Sequence, residues 1–238
     1  HNLNFDVLAH EFGHAMLYSV IGLPDADNVG TEFYAYHETA GDMVAVISML
    51  HFNTVLDRLL EDSRGNLYTR NELNRVGELS STRQIRMASN GMKMQDVPDP
   101  STPREELSYK QIHDISLPMT GALFDLLIEV FQQKLVDAGL ISPELDRLSR
   151  GLVDGEEDDL QLQEAFDTFY SLNPEGFKQA LIEARDYLGK LFALSCDMLS
   201  PELSIRDVIQ TLFEADRLVS GGHYQIELTQ VFQLREMI

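Results

Sequence analysis

The chain has a single cysteine, Cys196, so no internal disulfide can brace it. That fits a reducing compartment, and equally secreted enzymes that do without disulfides. Basic residues are scarce: 18 Lys plus Arg stand against 39 Asp plus Glu, a formal charge of −21. Such a surface repels nucleic acid and anionic lipid, which removes both from the expected partners. No apolar run is long enough to cross a bilayer, so no membrane insertion is expected. No signal peptide is read either. The chain opens on His1 without a Met and reads as a processed piece of something longer. What is present is ordinary: 238 residues, 44% of them hydrophobic, suffice for a large domain with its own core.

Apolar spacing at a period near 3.6 predicts helices almost throughout. One runs from Phe5 to Ile21, with Asn4 as its N-cap and Gly22-Leu23-Pro24 as its stop. A long second helix is expected from roughly Tyr34 to Glu61, its middle strongly apolar and so buried. Thr69 to Ser80 reads as a short helix, and Ser89 to Ser108, with Gly91, Pro98, Pro100 and Pro103, as a long loop. Further helices are expected from about Leu117 or Met119 to Ala138, and over Glu156–Leu172, Pro174–Leu199, Ser204–Val219 and His223–Met237. The acidic stretch Gly151–Asp159 lacks the spacing of a calcium loop and reads as a solvated helix start. With no repeat and no strand alternation, the expected class is mainly α with little or no β-sheet.

The chemistry concentrates in His10-Glu11-Phe12-Gly13-His14. Residues i and i+4 share a helix face, so the two imidazoles can grip one zinc ion. Glu11 beside them can reach a water on that metal. A catalytic zinc takes a third protein ligand and leaves one position open. Glu38, 24 residues after His14, is the best candidate. Asp42, one turn further along the same face, can accept the free ring N–H of a ligand His and fix its tautomer. His37 is a rival ligand by proximity, but about 100° of helix rotation turns it from Glu38, so it reads as structural.

Asp6-Val7 ahead of this motif, then Glu38-Thr39-Ala40-Gly41-Asp42, resemble the zinc-binding core of the thermolysin family of metallopeptidases, the gluzincin type. Arg86-Met87-Ala88-Ser89 resembles the family segment whose Arg binds the substrate carbonyl. Ile112-His113, followed by Ser116 and Gly121-Ala122-Leu123-Phe124, resembles the segment carrying its catalytic His ahead of a helix. Arg185 to Phe192, and Ile205 through Phe232, are similar to its late helices. The family places an Asp five residues before that His, where this chain has Ser108.

The resemblance implies zinc-dependent peptide-bond hydrolysis. Glu11 would act as base, His113 and Arg86 as donors to the oxyanion (Arg83 is the rival to Arg86), and Val7 and Ile85 as walls of a side-chain pocket. It implies a peptide or protein substrate, a secreted or extracytoplasmic setting, and an N-terminal β-rich domain or pro-segment outside this chain. Along the chain it suggests a zinc-binding helix pair over 1–62, an active-site loop and catalytic-His segment over 63–138, an insertion over 139–183 and C-terminal helices over 184–238, all in one domain. A zinc aminopeptidase of the same clan, and a non-catalytic metal-binding domain, are the competing readings. His223, in a turn between two late helices, reads as structural.

Overall fold

The computed structural model describes residues 5–24, 29–68, 75–76, 86–87, 89–150 and 160–238. Among them are nine α-helices: α1 (Phe5–Ile21), α2 (Thr31–Met49), α3 (Asn53–Ser63), α4 (Tyr109–Asp137), α5 (Pro143–Ser149), α6 (Leu160–Leu172), α7 (Pro174–Asp197), α8 (Ile205–Ser220) and α9 (Gln225–Leu234). Two-residue strands β1 (Arg75–Val76) and β2 (Arg86–Met87) pair antiparallel and form the only sheet among the described residues. The fold is mainly α.

One continuous apolar core runs from Ala9 on α1 to Phe232 on α9. It is centred on α4, whose residues Leu123, Leu126, Leu127, Val130 and Phe131 are fully enclosed. Around it pack α2, α7 and α9, while α1 lies along α2. No single helix among the described residues is long and apolar enough to cross a membrane.

Several expected boundaries move, each for a local reason. The long second helix breaks in two, and α3 leaves α2 at 89°. Phe52 is extended there, and the Leu50 carbonyl accepts from Arg185 Nη1 at 2.9 Å, so a tertiary partner takes an acceptor that helix continuation would have used. Residues 75–76 are strand, not part of a helix; the rest of the expected 69–80 helix lies outside the described residues, as do Asn4 and residues 156–159. The helix expected to begin at Leu117 or Met119 begins at Tyr109. Ser108 caps it: its hydroxyl accepts from Gln111 N–H while the Gln111 side chain returns to Ser108 N. Pro118 is inside that helix, not ahead of it.

The late helices carry plain stop and start chemistry. Asn173 accepts from Gly176 N–H at the head of α7 and Ser204 forms a capping box with Asp207 at the head of α8. Gly221 ends α8 at φ +73°, a left-handed conformation suited to glycine. Because α7 is continuous from Pro174, the expected boundary between 183 and 184 falls inside a helix. A short helix, α5, occupies part of the stretch read as an insertion.

Candidate metal centre

The site is made where α1 crosses α2, and two glycines set how close they come. A Cβ on Gly13 would lie 2.8 Å from Gly41 Cα, and one on Gly41 would lie 2.5 Å from His10 Cε1. Backbone therefore meets backbone at the crossing, and the His10 ring lies flat over Gly41. Any side chain at either position would push the helices apart and lift His10 from its place. These glycines went unread in the sequence, although both sit inside the motifs, as HEFGH and ETAGD.

His10, His14 and Glu38 converge there and form a largely buried group able to hold a metal ion, their ligand atoms all within 4.8 Å of one another. Glu38 Oε2 is 3.5 Å from His10 Nε2 and 3.9 Å from His14 Nε2. These gaps are short enough for one metal ion to be shared among the three side chains. Asp42 is buried behind the pair, its Oδ1 3.0 Å from His10 Nδ1. That contact directs the Nδ1 proton to Asp42 and leaves the Nε2 lone pair facing Glu38. Asp42 Oδ2 also takes a long hydrogen bond from Thr120 on α4, and Thr39 donates to the Ser116 carbonyl, so α2 and α4 are tied beneath the site.

His113 arrives from the second turn of α4. Its Nδ1 lies 3.0 Å from Glu38 Oε2, but off the line of a hydrogen bond, so this buried nitrogen has no hydrogen-bond partner. Tyr109 presses ring-to-edge on His113 at 4.2 Å. Ser108 offers His113 nothing, being engaged with Gln111. A small apolar cluster of Ala35, Leu107, Ile112 and Ile115, with Val97 against it, fastens the 89–108 loop to both helices beside the site. Glu11 stands exposed next to His10 on α1.

His37 is set into an aromatic nest. Its ring lies 4.4 Å from Phe33, 4.2 Å from Tyr18 and 5.7 Å from His14, nearly parallel to the last. It is 3% exposed and neither ring nitrogen has a hydrogen-bond partner. Burial first, and His14 second, pull its pKa down to about 4, so the ring is neutral at pH 7. Tyr18 stands at the site without a motif that marks it. Burial, then Tyr34 and Glu38, raise its phenol pKa. Tyr36 turns to the core and meets Cys196 Sγ at 3.5 Å, and Tyr34 lies under the Arg104 guanidinium.

Other residues named from the sequence lie apart or outside. Arg86 belongs to β2, but its side chain, like Ile85 and Arg83, is outside the described residues. Val7 is half-buried on α1. His223 is exposed in the α8–α9 turn, 3.9 Å from Asp137 at the C-terminal end of α4, the opposite end of that helix from His113. Compared with protein-family models, with curated proteins and with solved structures, the chain matches none.

Proposed function

We propose that the protein is a zinc-dependent peptidase of thermolysin type that cleaves internal peptide bonds. The observation that carries this reading is the convergence of His10, His14 and Glu38 with Asp42 behind His10. Two neutral imidazoles and one carboxylate are the donor set of a hydrolytic zinc, and an HExxH helix supplies a carboxylate beside them.

When bound, zinc supplies a Lewis acid that polarises a carbonyl and activates water at neutral pH. The chain's own residues do the rest. Glu11, exposed toward solvent, takes the water proton and returns it to the leaving amine. His113, held near Glu38, donates toward the oxygen on which charge develops, and Arg86 is assigned the companion donor. Asp42 keeps His10 in the tautomer that leaves Nε2 free.

The outer face of α1 supports a partner for this unit. Leu8, Phe12, Met16 and Val20 recur along that face and stay exposed, Phe12 to 60%. Phe12, Met16 and Val20 border an apolar groove of about 300 Å³ shared with Val44, Ile47 and Phe192. Exposed apolar surface of this extent marks a contact face, and we assign it to an N-terminal β-rich domain.

Metal analysis of the purified chain tests the reading, with about one zinc per molecule and chelator-sensitive cleavage of an N-blocked peptide expected. No zinc uptake would overturn it. Cleavage of free but not N-blocked peptides would replace it by an aminopeptidase.

A further inference from the structure

Arg235, at the C-terminal end of α9, is 4% exposed and uses its whole guanidinium. Nε donates to Asp125 Oδ2 at 3.2 Å and Nη2 donates to the same oxygen. Nη1 donates to the carbonyls of Asn90 and, at 3.2 Å, Met92. Its own carbonyl accepts from Met94 N–H at 3.0 Å. The guanidinium lies against bare backbone at Gly121, where a Cβ would come within 2.9 Å of Cζ.

These contacts straddle a weak point in α4. Pro118 has no N–H, so the helix loses one bond across that turn and its two halves are more loosely joined. Asp125 and Gly121 belong to the later half. The earlier half is reached through Asn90, whose Nδ2 donates to the Leu117 carbonyl at 3.1 Å while its Oδ1 accepts from Met92 N–H. Leu117 is one turn beyond His113, in the half that carries that imidazole to Glu38.

We propose that Arg235 is the positioning residue for His113: it bridges the halves of α4 across Pro118 and so sets where the ring stands over the metal centre. What His113 does there rests on the peptidase reading; where Arg235 holds it does not.

The test uses the zinc-loaded chain, an N-blocked peptide, and Arg235→Ala, Arg235→Lys, His113→Ala and the double variant of Arg235→Ala with His113→Ala. Arg235→Ala is expected to lower kcat about ten- to a hundredfold with KM unchanged, since a misplacement of about 1 Å in a catalytic group can cost about a hundredfold. Lys reaches one carbonyl but cannot fork, so it restores part. Added to His113→Ala, Arg235→Ala is expected to cost nothing more, because the two act as one unit. By NMR, the His113 ring resonance, assigned by its loss in His113→Ala, is expected to shift in Arg235→Ala and to stay put in Arg217→Ala, which removes an exposed pair on α8. Additive losses, or an unmoved ring resonance, would overturn the proposal. Should Arg235→Ala not fold, Gly121→Ala displaces the guanidinium without removing it and is read the same way. A wild-type chain that cleaves nothing sinks the peptidase reading, and the ring resonance alone then decides the positioning.

Discussion

Two buried polar clusters in this molecule are built on opposite terms. Around Asp216, fully enclosed between α7, α8 and α9, every requirement is met. Tyr187 donates to Oδ1 at 2.9 Å, Gln225 to Oδ2 at 2.6 Å, and Ser220 to Oδ1 as well. At the α1–α2 crossing, two imidazoles and a carboxylate converge, His113 crowds the same carboxylate oxygen without bonding to it, and both nitrogens of His37 go unpartnered. Unmet polar groups cost stability, and a fold normally satisfies them. The first cluster holds the protein together. The second leaves polar groups unmet beside three side chains that could hold a metal ion.

The sharpest break of this comparison is chemical. Glu11→Gln is expected to lower peptide hydrolysis by about 10²–10⁴-fold, the range for a positioned base, with zinc uptake unchanged; kinetics beside metal analysis read both. The next is metal itself. Zinc at about a thousandfold over its dissociation constant should stabilise the native state by about 4 kcal/mol, visible as a rise in the unfolding midpoint that Glu38→Ala abolishes. The Asp216 cluster should respond in reverse. Asp216→Ala strands three donors in the core and should cost about 3 kcal/mol in urea unfolding, with zinc stoichiometry untouched. The smallest effect carries the opposite sign. His37→Phe keeps the ring against Phe33, Tyr18 and His14 and removes two unpartnered nitrogens, so the metal-free chain should gain about 1 kcal/mol. A loss instead would mean that His37 has polar work to do in the nest.

Much of the site was readable before any fold. His10 and His14 share a face because a helix repeats near 3.6 residues, and α1 runs over the residues whose apolar spacing announces it. Acids at 38 and 42 fall on one face by the same arithmetic. Less legible were the places where a distant residue overrules local preference. Nothing near Leu50 announces a break in the helix, because the partner that takes its carbonyl is Arg185. The start of α4 was masked by a loop-like composition upstream, although Ser108 and Gln111 hold a capping signature three residues apart.

By itself, then, the sequence determined the helical class and the shared face of the candidate donors His10 and His14, because both follow from short-range periodicity. Only the tertiary structure decided how near those donors come. The Gly13–Gly41 contact brings two backbones together, the His10 ring settles over the bare glycine, and His113 reaches Glu38 from a helix begun 71 residues later in the chain. Ligand type is a property of side chains, but the few ångströms that make a site are a property of packing.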